Sequence, residues 1–226
     1  MPIAEKMIKM VEASLMVKQM FEEGARLKAE HGPQNVFDFS LGNPIVPPPE
    51  AINDTVKRIL ENCKPGEVHG YMNNSGYPDV RKKLADFENK TKGTNLSEEH
   101  IIMTCGASGA LNVALKALLD AGDEVLTPIP CFVEYKFYAD NHGGVLKTVP
   151  TKPDFELDPD VISAAITEKT KVFLINSPNN PTGQVYSEES LKTLGEILER
   201  KGQEFNRTIY LLSDEPYRKI VYDGIV

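Results

Sequence analysis

The chain has 226 residues, of which 41% are hydrophobic and 26% are charged, and its formal net charge at pH 7 is −8. These values are typical of a globular protein with a sizeable core, and they argue against a nucleic-acid-binding surface, which needs clustered Lys and Arg. No apolar run is long enough to cross a membrane, Glu5 interrupts any signal peptide, and three cysteines without metal-ligand spacing predict neither a metal site nor a disulfide framework.

The N-terminal part of the chain combines one helical pattern with proline-rich loops. A helix is predicted from Ser14 to about His31, because Gly32-Pro33 cannot continue it. After an alternating apolar stretch at residues 36–41, the run Pro47-Pro48-Pro49 is typical of a stiff spacer between packed units. We therefore expect residues 1–47 to form an arm and part of a small domain, and residues 48–226 to form a larger domain.

Two helices with apolar faces should open the larger domain. Glu50 to Asn62 carries apolar residues at helical spacing, as does Pro78 to Thr91, in which Val80, Leu84 and Phe87 are predicted to face inward.

From His100 onward, short apolar strands alternate with helices. Strands are predicted at residues 101–104, 124–127, 145–149 and 172–175 and at a segment ending at Asp214, with an Ala- and Leu-rich helix at 110–119. About five strands in this rhythm predict an α/β fold, in which a mostly parallel sheet has helices on both faces.

Polar side chains and turn residues follow two of these strands. Ser177-Pro178-Asn179-Asn180-Pro181-Thr182-Gly183 comes directly after one strand, and Ser213-Asp214-Glu215-Pro216-Tyr217 ends the next. Ligands bind at the carboxyl edge of open α/β sheets, so the two segments are candidates for one site. The alternatives are a proline-rich connector and, for Asp214, a helix cap.

Another candidate lies at Cys105-Gly106-Ala107-Ser108-Gly109, between a predicted strand and a helix. Small residues at a helix start leave backbone N–H groups open, where the helix dipole also favours an anion. The pattern is neither GxGxxG nor GxxxxGKS, so it does not predict a nucleotide site. The alternative is a glycine turn required for packing.

The ordered pair Asn179-Asn180-Pro181-Thr182-Gly183 and Ser213-Asp214-Glu215-Pro216-Tyr217 resembles the class I/II, fold-type I aminotransferases, which depend on pyridoxal 5′-phosphate (PLP). The resemblance covers nearly the whole chain and implies amino-group transfer between an L-amino acid and a 2-oxo acid. It also implies a homodimer that shares its active site and takes part in amino acid biosynthesis. The few cysteines fit a reducing cytoplasm, and the negative charge and the lack of a long apolar run predict neither a nucleic-acid nor a membrane partner.

The resemblance implies a role for each matching residue. Catalytic roles fall on Asp214, which would keep the pyridine nitrogen of PLP protonated, and on Tyr217, which with Asn180 would bind the phenolic oxygen. The remaining cofactor ligands would be the phosphate cup and its neighbours: Gly106, Ala107, Ser108, Phe132 stacked on the ring, and Tyr71 from the other subunit. The resemblance also implies that the substrate contacts Gly42, Phe132 and Asn180. Tyr77 is the competing match for Tyr71, and without the family Gly42 is a turn glycine and Phe132 a core residue.

One feature of the family has no match. Its Schiff-base lysine follows the Asp-x-x-Tyr motif by a few dozen residues, whereas this sequence reaches only Val226, and Lys219 is too close to the motif. The carboxylate-binding and phosphate-binding arginines should also lie beyond the end. We therefore expect this sequence to be the N-terminal part of such an enzyme.

Two alternatives share these motifs. A C–S lyase or decarboxylase of the same fold would carry nearly all of them. A non-catalytic fragment or regulator module is the second alternative, although a regulator would add a DNA-binding domain, for which the sequence shows no basic patch or helix-turn-helix.

Overall fold

The computed structural model describes residues 3–39, 42, 46–222 and 224, without the side chains of residues 9 and 11–18. The chain forms two compact units, Met1–Gly70 and Tyr71–Val226. The predicted motif around Gly42 includes Leu41, Asn43 and Pro44, which lie outside the described residues. The division predicted after residue 47 stays a prediction.

The first unit is helical in its described part. It contains α1 (Glu5–His31), a 3-10 turn (Pro33–Asn35), α2 (Glu50–Asn62) and α3 (Pro65–His69). α1 begins earlier than predicted but ends as predicted, at Gly32, whose φ of 83° suits glycine. The bounds of α2 are as predicted, and its apolar face, which includes Ile52 and Val56, is exposed. Among the helices described, none combines the length and apolarity needed to cross a bilayer.

The second unit alternates helices and strands as predicted. Its helices are α4 (Pro78–Lys92), α5 (Gly106–Leu118), α6 (Tyr135–Asn141), α7 (Pro159–Ala165) and α8 (Glu188–Glu204), with a 3-10 turn at Glu98–His100. Its strands are β1 (Glu124–Ile129), β2 (Val145–Pro150), β3 (Thr170–Asn176) and β4 (Tyr210–Asp214).

The strands form one sheet in the order β2-β1-β3-β4, and every pair in it is parallel. Because β2 and β3 lie on opposite sides of β1, the chain reverses its winding direction there. A crevice at the carboxyl ends of the strands is expected at such a switch point. The predicted α/β architecture is therefore confirmed.

Alternate residues of the central strands face two separate cores. Phe173 and Ile175 of β3 pack with α7 and α8, whereas Val172 and Leu174 pack with α5 and α6. All four are buried, because the sheet is covered on both faces. The result is the predicted three-layer arrangement of helices, sheet and helices.

Side-chain caps begin the helices of one layer. Asp158 accepts hydrogen bonds from the backbone N–H groups of Asp160 and Val161 at the start of α7, with Pro159 at the first helical position. Ser187 accepts one from Ser190 at the start of α8. Both starts follow from the preference of Asp and Ser for this position.

Three local predictions are wrong: the strand at residues 101–104, the start of α5 and the inward face of α4. Residues 101–104 are extended but belong to no sheet among the described residues, where their one backbone bond across the fold runs from Met103 N–H to Ser75 O. α5 begins at Gly106, four residues earlier than predicted.

The predicted inward face of α4 is also wrong. Val80, Leu84 and Phe87 are exposed, and Ala85 is the buried residue of this helix. Polar bonds connect α4 to the rest of the unit, including the Arg81 guanidinium donating to the Glu98 carbonyl oxygen at 2.8 Å.

Candidate active site

A small cavity of about 220 Å³ opens at the carboxyl edge of the sheet. Its walls come from the start of α5, the segment before α6, and the segments that follow β3 and β4. The lining residues are Cys105, Gly106, Ala107, Ser108, Leu111, Phe132, Asn176, Asn180, Asp214, Pro216 and Tyr217. The parallel sheet thus brings together turns that are far apart in sequence.

Asp214, the last residue of β4, is the buried carboxylate of the cavity, with 8% of its surface exposed. The Tyr135 hydroxyl donates to Asp214 Oδ2 at 2.6 Å, and the Asn176 amide donates to the Asp214 backbone carbonyl at 2.8 Å. Among the described residues nothing donates to Oδ1, and no Lys or Arg pairs with the carboxylate. One carboxylate oxygen is therefore held in place while the other is left for a ligand.

Asn176 connects the two polar strand ends. It is the register partner of Asp214 between β3 and β4 and is 3% exposed. Besides donating to Asp214, it accepts the backbone N–H of Asn180 on Oδ1 at 2.6 Å. A single buried amide therefore ties the turn after β3 to the end of β4.

The turn after β3 is held by its own side chains. Asn179 Oδ1 accepts from both the backbone N–H and the hydroxyl of Thr182, at 3.2 Å and 2.9 Å. The backbone N–H of Asn179 donates to the Gln184 carbonyl, and that of Gly183 donates to the Asn179 carbonyl. This bonding fixes the backbone on which Asn180 is carried.

The N-terminus of α5 forms another wall of the cavity. The backbone of Gly106 has a φ of 72°, which favours glycine, and no side chain caps the helix. Gly106, Ala107 and Ser108 are exposed, and the Tyr138 hydroxyl donates to Ser108 Oγ at 2.8 Å. Uncapped N–H groups at the positive end of a helix dipole suit an anion.

Aromatic side chains complete the site. Phe132 is half-buried and meets Tyr135 edge to face, with ring centroids 5.6 Å apart. Tyr217 is 37% exposed. The segment after β4 that carries Tyr217 is fastened to α4 by Arg218, whose two terminal nitrogens donate to Glu88 at 2.7 Å and 3.1 Å.

Seven of the predicted site residues line this one cavity: Gly106, Ala107, Ser108, Phe132, Asn180, Asp214 and Tyr217. Tyr71 is fully exposed and does not line it, and Gly42 belongs to the first compact unit. Lys219 is also outside the lining, since its ammonium group lies 5.3 Å from the centroid of the Phe87 ring. The roles assigned to all these residues stay predictions.

Sequence reasoning missed the two residues that hold Asp214. Tyr135 follows Phe132 by three residues at a helix start, a spacing that puts both on one side of a helix. Asn176 is the polar residue that directly follows the apolar run of residues 172–175 in β3. Both patterns are visible in the sequence. Neither shows that the hydrogen-bond partner is Asp214, which is 79 residues from Tyr135 in the chain.

Burial also sets the protonation of two neighbours of the cavity. Burial, followed by the hydrogen bond to Asp214, raises the pKa of the Tyr135 phenol far above its usual range. Burial likewise raises the pKa of the Cys131 thiol. The Tyr135 phenol therefore remains a hydrogen-bond donor. The cavity offers the unpaired Asp214 Oδ1 at one place and uncapped N–H groups at the start of α5 at another. A small ring that carries both a protonated nitrogen and an anionic group would match this arrangement.

Comparison with known proteins agrees with the fold and the motifs. The model of the family "Aminotransferase class I and II" matches residues 34–225. A probable aspartate aminotransferase of Methanocaldococcus jannaschii is 37% identical over 187 residues, which are 83% of this chain and 47% of that protein. This chain therefore spans about half the length of such curated relatives.

Solved structures show the same similarity. The crystal structure of an amino transferase from Eubacterium rectale superposes with a TM-score of 0.95 at 40% identity, covering 100% of this chain and 57% of that one. Thermus thermophilus aspartate aminotransferase with maleate gives a TM-score of 0.77 at 32% identity, covering 92% of this chain and 52% of that one. With the family match over most of its length, this chain belongs to the class I and II aminotransferases.

Proposed function

We propose that the protein containing this sequence is a PLP-dependent aminotransferase, which moves an amino group between an L-amino acid and a 2-oxo acid. The observation that carries the proposal is the buried Asp214 carboxylate, with one oxygen unpaired, in the same cavity as the uncapped start of α5. A carboxylate buried without a cation is costly, so a site that retains one is expected to receive a cationic ligand group.

The residues present fit PLP. Asp214 would pair with the protonated ring nitrogen. The turn at Gly106–Ser108 would bind the phosphate through the backbone N–H groups of Ala107 and Ser108 and the Ser108 hydroxyl, since the Gly106 N–H donates to the Thr104 carbonyl. Phe132 would cover the ring, while Asn180 and Tyr217 would bind the phenolic oxygen. When bound, PLP supplies an electron sink for the carbon that loses its proton. Asp214 favours this chemistry by holding the ring nitrogen protonated from a buried position, where an ion pair is stronger than in water.

Further contacts belong to the same proposal. The exposed backbone of Gly42 would donate its N–H to the substrate carboxylate, since without a Cβ it allows close approach, and a Cβ built there meets no atom within 4 Å. Tyr71 would bind the PLP phosphate of a second subunit, because its fully exposed phenol is available to another chain. This arrangement implies a homodimer, which we propose to be cytoplasmic.

No lysine of this sequence is proposed to form the Schiff base. Among the described residues, the cavity lining contains no lysine. The Lys219 ammonium group lies over the Phe87 ring, outside the lining. Incubating the 226-residue chain with PLP, reducing with borohydride and mapping the peptides should reveal no specifically labelled lysine. Specific labelling of Lys219, with turnover by this chain, would contradict this part of the proposal.

The test of the whole proposal separates binding from transfer. PLP binding by this chain should perturb the cofactor's absorption and be weakened by Asp214→Asn. The protein that contains the sequence should convert an L-amino acid and a 2-oxo acid into the exchanged pair. L-Aspartate is the first donor to try, because relatives such as that of Methanocaldococcus jannaschii are named aspartate aminotransferases. Elimination or decarboxylation products without the exchanged pair would refute amino transfer while retaining PLP.

A further inference from the structure

Helix α6 presents two buried tyrosines toward the cavity residues. Tyr135 and Tyr138 are three residues apart, so they share one side of the helix, and their ring centroids are 6.4 Å apart. Their exposed fractions are 1% and 9%. Buried tyrosine hydroxyls need hydrogen-bond partners, and each of these two finds its partner in a residue of the cavity lining.

Tyr135 acts on the carboxylate. Its hydroxyl donates to Asp214 Oδ2 at 2.6 Å, a length typical of a hydrogen bond to a charged oxygen. Burial and the neighbouring carboxylate both keep the phenol protonated, so it remains a donor. The bond occupies one oxygen and stops the carboxylate from rotating, which leaves Oδ1 as the oxygen available to a ligand.

Tyr138 acts on a hydroxyl at the start of α5. Its own hydroxyl donates to Ser108 Oγ at 2.8 Å. A serine hydroxyl has one hydrogen and can accept through its lone pairs. Because Oγ accepts from Tyr138, the Ser108 hydrogen is free to be donated elsewhere, and Ser108 lines the cavity.

We propose that α6 is a positioning element for both ends of the cofactor: Tyr135 orients Asp214 toward the ring nitrogen, and Tyr138 orients the Ser108 hydroxyl toward the phosphate. The inference rests on the proposed function and adds two positioning residues to it. The short helix sets the separation of the two tyrosines, so it also relates the carboxylate to the anion-binding turn. The competing explanation is that both tyrosines only fill the core and satisfy their hydroxyls.

The test uses three probes and three Tyr→Phe variants. The probes are PLP, a carbocyclic analogue in which a C–H group replaces the ring nitrogen, and pyridoxal, which lacks the phosphate. The variants are Tyr135→Phe, Tyr138→Phe and, as a matched control, Tyr186→Phe, which removes the hydroxyl of a buried tyrosine in the core on the other face of the sheet. Dissociation constants are measured for each combination, with urea unfolding to verify the fold.

Each positioning residue should affect one end of the ligand. Tyr135→Phe should weaken PLP about tenfold and change the affinity of the carbocyclic analogue less than about twofold, because only PLP has the ring nitrogen. Tyr138→Phe should weaken PLP and the analogue alike by about tenfold and leave pyridoxal within about twofold. Tyr186→Phe should leave all three affinities unchanged.

Double variants sharpen the assignment. In an Asp214→Asn background, Tyr135→Phe should add less than about a twofold change in PLP affinity, and Tyr138→Phe should behave likewise in a Ser108→Ala background. If a Tyr→Phe variant does not fold, ring-fluorinated tyrosine at the same position keeps the shape and alters the donor. Fluorination at position 135 should change the PLP-to-analogue affinity ratio, whereas fluorination at position 138 should not.

The outcomes that overturn the inference are distinct from those that overturn the function. Equal losses for all three probes, or no loss in either variant, would show that the tyrosines only pack, while PLP binding by the unmodified protein would still support the proposed function. Failure of the unmodified protein to bind PLP would overturn the proposed function and the inference with it.

Discussion

Two buried aspartates at opposite edges of the same sheet are equally shielded from solvent but have different partners. Asp123 precedes β1 at the amino edge, Asp214 ends β4 at the carboxyl edge, and each is 8% exposed. Asp123 is paired with the Arg207 guanidinium at 2.6 Å. Asp214 is bonded to a phenol, and no cation among the described residues pairs with it.

The environment of Asp123 is fully assembled within the chain. Its Oδ2 accepts the backbone N–H of Asp120 at 3.0 Å, and the same Arg207 also donates to the Glu168 carbonyl at 2.7 Å. Burial alone would raise the pKa of Asp123, but the Asp120 N–H and the Arg207 charge outweigh it and lower this pKa. A carboxylate satisfied in this way stabilises the fold and has no capacity left for a ligand.

The two aspartates show what distinguishes a carboxylate satisfied by the fold from one proposed to bind a ligand. Burial alone does not distinguish them, since the exposed fractions are the same. What distinguishes them is the unmet demand for a positive partner, which Asp214 retains and Asp123 does not.

The largest expected effect is the loss of function in Asp214→Asn. Amino transfer by the protein that contains this sequence should fall by about 10²–10³-fold, because the neutral amide cannot hold the ring nitrogen protonated. The free energy of unfolding should change by less than about 1 kcal/mol, since the amide oxygen can still accept from Tyr135. Steady-state assays and urea titrations measure the two quantities. Asp123→Asn is the control, and equal losses of transfer in the two variants at equal folded fractions would refute the contrast.

A large loss of stability is expected in Arg207→Met, which leaves Asp123 buried without its cation. Breaking a buried pair from one side costs about 3–5 kcal/mol, and because the side chains of Arg207 and Asp123 are 23% and 11% exposed, we expect about 2–3 kcal/mol. The double variant Asp123→Asn/Arg207→Met should recover part of this loss in urea unfolding.

The matched control for Arg207→Met is Lys201→Met, which breaks a bond to Glu204, a residue 51% exposed. It should cost less than about 0.5 kcal/mol. PLP affinity should stay unchanged in both variants. A loss of PLP affinity in folded Arg207→Met would show that the amino edge influences the cavity.

An intermediate effect is expected for Glu88→Gln in α4. Glu88 is paired with Arg218, which lowers the pKa of Glu88, so like Asp123 it has a cation partner, although its side chain is more exposed, at 19%. The variant should lose about 0.5–1 kcal/mol of stability and bind PLP a few-fold more weakly, because the segment carrying Tyr217 loses its attachment. Asp86→Asn, which breaks an exposed pair with Lys82 on the same helix, is the control. Equal effects of the two variants on PLP affinity would show that the attachment does not position Tyr217.

The smallest effect concerns acid pH. Because the pKa of Asp123 is lowered in the folded state, its contribution to stability is complete above the unfolded value of about 4 and is lost as the pH falls through the folded value. Asp123→Asn should therefore flatten the acid side of the stability curve below about pH 4. Unfolding free energies measured from neutral to acid pH test this, and an unchanged acid slope in Asp123→Asn would contradict it.

Much of the fold could be predicted because its signals are local. The bounds of α2 follow from helical spacing, and the starts of α7 and α8 follow from Asp158 and Ser187. The strand predicted at residues 101–104 fails because strand identity requires a hydrogen-bonded neighbour, which no pattern within four residues can show. The prediction that the apolar side chains of α4 face inward fails for a similar reason. Helical periodicity identifies an apolar face but does not show which other part of the protein covers it.

The candidate site was predictable only in part. Seven lining residues were found through turn chemistry and through resemblance to a family, which compensates for missing knowledge of tertiary contacts. Tyr135 and Asn176 were missed because their function depends on a partner brought near by the sheet. The contrast between Asp123 and Asp214 could not be predicted at all, since Arg207 reaches Asp123 across 84 residues of sequence.

The register between Asn176 and Asp214 also limits how the chain can vary in length during evolution. Successive strand residues point to opposite faces, so deleting one residue between Tyr210 and Asp214 would turn the carboxylate away from the cavity and remove its bond to Tyr135. An insertion in the turn between α8 and β4, before Tyr210, would leave that register intact. Homologous sequences should therefore vary in length at residues 205–209 and keep a constant number of residues through β4.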